Sequence, residues 1–241
     1  MNENPAADEK PVEAVRDAVA FLVPSYKTPL LAADLLHAAA SAAAAFEGCS
    51  FVLLLDAADP NVPAYVETVL AVREKGLKAG YIVFDGAPYC GCVNRVAPIV
   101  DADAVCVLDN KHLPQVAADT ADGNVAAAVR LWLSQSPQRM RVGTFSEDGF
   151  FPVVTQKLIE RLGYIFHPLC YGRIDAENWL LSVAESLGVL SPIPGGSVFE
   201  SPSETVEICG AADDSDMRWV DDTLAQTLAE TVERLDGYLE K

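Results

Sequence analysis

Several short stretches bring together side chains able to hold an anion or move a proton. "AVCVLDNKHLP", residues 104–114, is an apolar run that ends on Asp109 and continues into Lys111 and His112. "SFVLLLDAADP" ends in the same way on Asp56, and "AGYIVFDG" on Asp85. A carboxylate at the end of a buried strand can anchor a catalytic centre. It can equally open a turn, where aspartate is favoured because its side chain bonds the backbone two residues on. "GCVNRVA" places Asn94 and Arg95 at the start of a predicted helix. Free N–H groups there can face phosphate, and the arginine can add charge to a diphosphate; as an N-cap, Asn94 would be locally sufficient. Asp148, beside Glu147 in "SEDGF", falls in a predicted loop after a strand, a usual address for catalytic groups.

A parallel sheet would position these groups. "AVAFLVPSY" reads as a strand stopped at Pro24, followed by an Ala- and Leu-rich helix with Thr28 as N-cap and Pro29 as first residue. The strand at "SFVLLLD", a helix ending near Gly76, the strand "AGYIVF", a helix in "CVNRVAPIVDA" and the strand "DAVCVLDN" follow in turn. Such alternation predicts an α/β fold with a mostly parallel central sheet flanked by helices. Ligands of such sheets bind at the carboxyl ends of the strands, which selects residues 24–27, 56–61, 85–91 and 109–112. In the second half, "NVAAAVRLWLSQ" predicts a helix. "RMRVGTFSEDGFFP" is predicted extended, with Arg139 and Arg141 alternating against apolar residues. "PVVTQKLIERLG" reads as one amphipathic helix closed by Gly163, and a further helix is closed by Gly188. "VLSPIPGGSVFES" is punctuated strand and turn. The expected organisation is an arm over 1–15, one domain over 16–205 with halves 16–115 and 116–205, and an acidic helix over 206–241. That helix either packs back or serves self-association, so a homo-oligomer is among the expectations.

The 241 residues carry a formal charge of -18, which opposes non-specific binding to nucleic acid or an anionic membrane surface. No apolar run has the length of a membrane span and no basic, apolar leader opens the chain, so a soluble, cytoplasmic protein is expected. The six cysteines show no paired CxxC spacing, which fits a reducing compartment. Cys90 and Cys92, in "CGC", could bind a soft metal or form a loop of small residues. His37 reads as structural and His167 as ambiguous. No Walker-type or GxGxxG loop occurs.

With its Pro-x-Tyr turn, "FLVPSYKTPLLAADLLHAAASAA" resembles the opening of the glycosyltransferases of GT-A fold, above all the inverting family 2. "LLLDAADPN" resembles that family's second strand and Asp-rich turn. "GAPYCGCVNRVAPIVDADAVCVLDNKH" is similar to its Gly-x-x-x-Asn helix and the strand ending in Asp-x-Asp. "GFFPVVTQKLIERLGYIFHPLCYGRIDAENWL" is similar to acceptor-side segments, so the likeness spans about residues 20 to 200.

The resemblance implies a UDP- or GDP-linked sugar donor and a hydroxyl acceptor. Pro24 and Tyr26 would wall the base, Asp56 would accept its hydrogen bond, and Asn94 and Asp109 would line the diphosphate. Family members hold Mn2+ or Mg2+ with the second acid of Asp-x-Asp, and here that position is Lys111, which cannot ligate a hard cation while protonated. Ser201 or a neighbour stands where members carry a histidine. Two consequences stay open. Lys111, alone or with His112, brings positive charge to the diphosphate in place of a metal held by Asp109, or the site has lost catalysis and the protein is a binding module. An inverting transfer also needs a carboxylate base, for which Asp148 and Asp175 are the candidates. Trp179, four residues after Asp175, offers a sugar a ring face or lies buried under its helix, and Asp175 itself can be an N-cap.

Overall fold

The structure is a computed structural model that describes residues 16–86, 89–136, 140–146, 151–170, 172–200 and 226–235. The expected arm over 1–15 lies outside these residues, as do Arg139, Glu147, Asp148, Ser201 and Cys209. In chain order the elements are β1 (Asp17–Ser25), α1 (Pro29–Ser41), β2 (Cys49–Asp56), α2 (Val62–Glu74), β3 (Ala79–Phe84), α3 (Tyr89–Val96), β4 (Ala102–Val107) and β5 (His112–Val116). They continue with α4 (Val125–Ser134), β6 (Val142–Thr144), β7 (Val153–Thr155), α5 (Gln156–Leu162), α6 (Arg173–Ser186), β8 (Leu190–Pro192) and β9 (Gly196–Glu200).

Seven strands form one sheet in the order β3-β2-β1-β4-β7-β6-β8. The four strands of the first half are mutually parallel, as continuous apolar runs joined by helices must be. β7 then runs antiparallel to β4, and β6 antiparallel to β7. One face carries α1, α2 and α4, whose Leu35, Leu36, Tyr65, Val69 and Trp132 pack on Phe21, Phe51 and Leu53. The other carries α3, α5 and α6, with Val93, Ile159 and Leu180 against Leu22, Val105 and Val107. β1 lies inside the sheet, between β2 and β4, and is sealed from both sides.

Four local expectations change. β1 runs through Pro24 to Ser25. Pro24 lies beyond the last β1–β4 pair, Leu22 with Val107, so its missing N–H removes no rung there. α3 begins at Tyr89, which puts Cys90 and Cys92 on a helix rather than a loop and Asn94 in its last turn rather than its first. "VVT" is the strand β7 and only Gln156–Leu162 is helical; three β-branched residues pair with β4 before the helix starts. Directly after Asp109, residues 112–116 form β5, which pairs antiparallel with β9 as a separate two-stranded sheet.

Thr28 and Pro29 do open α1, yet the Thr28 hydroxyl makes no cap bond and instead accepts from Asn110 Nδ2 at 2.7 Å. Gly163 and Gly188 both have positive φ at helix ends, as expected. Residues 226–235 are helical and pack back: Leu235 is buried in the α3, α5 and α6 core, and Arg234 donates to the Leu162 carbonyl.

β6 passes close over α4. Trp132 is fully buried, its Nε1 donates to Ser191 Oγ at 2.9 Å, and the Arg141 guanidinium lies 5.1 Å from its ring centre. A Cβ at Gly143 would come within 2.8 Å of Trp132 Cζ2. Gly143→Ala should therefore destabilise the fold by about 1–3 kcal/mol through overpacking, read as a lower urea midpoint at unchanged slope.

Candidate functional site at the carboxyl edge of the sheet

Asp85, Asp56, the turn from Pro24 to Lys27 and Asp109 lie at the carboxyl ends of four adjacent strands, β3, β2, β1 and β4. Asp56 and Asp109 stand at the ends of the strands on either side of β1. Pro24 is half-buried, Tyr26 is 37% exposed, and the Lys27 ammonium stands 4.9 Å from the Tyr26 ring centre. Asp56 is half-buried, and its Oδ1 accepts from the Ala58 N–H at 2.8 Å, an Asx turn that shapes the next loop.

Asp59 is the residue that fixes the β1 turn. It is 3% exposed and accepts from the Lys27 N–H, the Asn61 N–H and side-chain amide, and the Tyr65 hydroxyl. Burial pushes its carboxyl up, but these donors outweigh it and hold the group below its ordinary value. Tyr65 passes the tie on, accepting from the Thr28 N–H at 2.8 Å. Lys27 itself has φ of 55°, a left-handed conformation that is uncommon for a side chain of its size and that the Asp59 bond holds in place. From the other side, Ser25 Oγ donates to Asn110 Oδ1 at 2.8 Å, and Asn110 reaches Thr28, so the ends of β1 and β4 are stitched together.

Asp109 is surrounded by donors. Oδ1 accepts from the Lys111 N–H at 2.9 Å, the His112 N–H at 3.0 Å and lies 2.7 Å from His112 Nδ1; Oδ2 accepts from Arg173 at 2.6 Å. Arg173 also donates to Glu177 at 2.8 Å, and Phe151 lies between its guanidinium and the His112 ring, 4.4 and 4.8 Å away. Burial raises Asp109, yet Arg173, the Lys111 N–H and His112 hold it below the usual carboxylate range. For Glu177, 2% exposed, burial wins and the carboxyl stands above its ordinary value despite Arg173. Burial works against the charge of Arg173, but Glu177 and Asp109 outweigh it and keep the guanidinium protonated. Lys111 is half-buried and has no acidic partner among the described residues.

The remaining candidates lie on α3 and α6. The Asn94 amide accepts from the Ile165 and Phe166 N–H groups and donates to the Phe166 carbonyl, clamping α3 to the loop before α6. Asp175 is half-buried in the first turn of α6, whose N-cap is Gly172, so it is not itself the cap. Trp179 is 4% exposed and packs against Tyr164 and His167, the buried alternative of the two its position allowed. All five described cysteines are buried; burial pushes Cys90 up to about 12 and Cys92 to about 11, which leaves them poor thiolates. Arg173, Glu177 and Asp59 were not singled out from the sequence. The i, i+4 spacing of Arg173 and Glu177 was the available signal for that pair.

A hard divalent cation does not fit this donor set. It seeks several oxygen ligands, whereas the Asp109 carboxylate is already held by a guanidinium and an imidazole, and a lysine follows two residues on. Among the described residues no group of three His, Cys, Asp or Glu side chains is placed to hold a metal ion. No helix among them is long and apolar enough to cross a membrane.

No protein-family model and no curated protein matches the sequence. Solved structures do. S. aureus TarS, residues 1–349 in complex with UDP-GlcNAc, matches with a TM-score of 0.58 at 13% identity, over 92% of this chain and 73% of that one. The mannosyltransferase PcManGT from Pyrobaculum calidifontis, in complex with GDP-Man and Mn2+, matches with a TM-score of 0.53 at 17% identity, over 88% of this chain and 63% of that one. Against a longer TarS structure the chain spans only 43% of the length. The fold is therefore GT-A, as the resemblance in sequence implied.

Because its folded pKa is lowered, Asp109 contributes stability that is fully present above the ordinary carboxylate pKa and is lost as pH falls through the folded one. Asp109→Asn should be less stable than the parent at neutral pH and converge with it in acid, measured by denaturant midpoints across that range. Arg173→Met, which strands two carboxylates, should cost about 3 kcal/mol, the lower end for a pair that is a quarter exposed.

Proposed function

We propose that this chain, a GT-A fold, binds a UDP- or GDP-linked sugar at the carboxyl edge of its sheet and transfers the sugar to a hydroxyl acceptor. One observation carries the reading: Asp109 binds the Lys111 backbone N–H and the Arg173 guanidinium at the end of β4, and the position where the resemblance would have a metal ligand holds the positive charge of Lys111, which has no acidic partner among the described residues. A developing diphosphate leaving group needs such charge, and fixed cations supply it without a bound ion. The proteins of similar fold were solved with UDP-GlcNAc and GDP-Man, which supports a nucleotide-sugar as ligand of this edge.

In this reading Pro24 and Tyr26 wall the base and Asp56 accepts from it. Lys111 pairs with the diphosphate. Asp109 acts through Lys111 and Arg173 rather than on the donor. The acceptor oxygen attacks the anomeric carbon as the bond from that carbon to the diphosphate oxygen breaks. The acceptor proton passes to a carboxylate, for which Asp148 and Asp175 are the proposed groups, and the nucleoside diphosphate leaves with the bond electrons. Inversion at the anomeric carbon follows from this single displacement.

The closed arrangement of Asp109, His112, Arg173 and Glu177 also favours a second reading, in which the edge keeps its fold without turnover and the protein works by binding a partner. Release of nucleoside diphosphate from a panel of UDP- and GDP-sugars, with Mn2+ and with EDTA, separates the two. The transferase reading expects release that survives EDTA and falls at least tenfold in Lys111→Ala, with Asp109→Asn folded but inactive. No release and no thermal shift with any donor would leave the binding module.

A further inference from the structure

β3 closes one side of the large sheet and has no neighbour there among the described residues. Its six residues, Ala79–Phe84, include no charge and no proline. Exposed edges of that kind are normally blunted by lysine, proline, a bulge or short length. The opposite edge is blunted: β8 has three residues and ends in Pro192. β3 is not, and Tyr81 and Val83 are 41% and 42% exposed on it.

The direction of its free backbone groups can be read from the bonds it makes. The carbonyls of Lys78 and Phe84 accept from Phe51 and Ala57, next to or within β2. Backbone groups alternate in direction along a strand, so those of Ala79, Tyr81 and Val83 face outward. An antiparallel partner centred on Tyr81 would use all three. Side-chain sizes suit the same register. Small residues, Ala79 and Gly80, occupy one end and larger ones, Ile82 and Val83, the other. A Cβ added at Gly80 would meet nothing within 4 Å.

We infer that β3 is the dimerisation edge of this protein, pairing antiparallel with β3 of a second copy about a two-fold axis through Tyr81. Tyr81 then lies opposite its own copy, while Ala79 meets Val83 and Gly80 meets Ile82, so that at these two positions a larger side chain faces a smaller one and the open space at Gly80 is filled. The paired segment itself carries no charge, so two chains of net charge -18 can meet along it without like charges directly opposed. The pairing is isologous and consumes the edge in both copies, so it stops at two. It stands independently of the nucleotide-sugar reading.

Light scattering of the full chain after gel filtration should give twice the chain mass. Tyr81→Glu sets two like charges directly opposite each other and should return the mass of one chain with an unchanged far-ultraviolet spectrum. Val83→Pro removes an outward N–H that the fold does not use, and should do the same. Opposed residues of a hydrogen-bonded antiparallel pair have Cα atoms about 5.5 Å apart, within disulfide reach. Tyr81→Cys treated with a mild oxidant should therefore form a covalent dimer, whereas Leu131→Cys, at an exposed position on α4, should not. A parent chain of monomer mass, a dimer that survives Tyr81→Glu, or equal cross-linking at positions 81 and 131 would each overturn the inference.

Discussion

A carboxylate at the end of a sealed strand stays charged only if donors replace the water it has lost, and for Asp109 the decisive donor is Arg173, 64 residues further along the chain. That ion pair ties the parallel half of the sheet to α6. The same carboxylate shapes the loop after β4, since it receives the N–H groups of Lys111 and His112. Glu177 behind Arg173 is the counterweight: it is buried, its carboxyl stands above its ordinary value, and it shares the guanidinium with Asp109.

The neighbouring turn has a similar logic with different chemistry. Asp59 gathers backbone and side-chain donors and thereby holds Lys27 in a conformation its side chain would otherwise avoid. Between the two aspartates, Ser25, Asn110 and Thr28 form a chain of neutral hydrogen bonds. The edge is thus defined by side chains whose polar atoms face each other, and Lys111, Tyr26 and the free oxygen of Asp56 remain as its outward groups.

The parallel half of the fold was legible because each strand is an unbroken apolar run and each is followed by a helix, a pattern that sterics allow to close in one way. The positions of Asp56 and Asp109 at strand ends followed directly. The second half was harder. β7 and α5 are contiguous, so "VVTQKLIERL" carries one apolar pattern across two elements, and only pairing with β4 separates them. β5 was hidden because its pairing partner, β9, lies some eighty residues away and neither strand has a turn signal joining it to the other. Arg173 escaped notice for the same reason: a partner chosen by tertiary approach leaves no local mark. Asn94 read as a phosphate-facing residue because the start of α3 was placed too late, and its amide instead serves the Ile165–Phe166 backbone.

The antiparallel pairing of β5 with β9 bears on the order in which the molecule can be made. During synthesis the first 107 residues can form β1 to β4 from contacts close in sequence, but the strand that braces the loop after Asp109 is not made until positions 196–200. Until then Asp109 lies beside an unbraced loop, and before position 173 it lacks its guanidinium as well. Maturation of the edge is therefore expected to trail formation of the sheet, with loop-closure entropy setting the delay. A nascent chain stalled between these points would be a folded half-sheet with an unbalanced charge on its rim.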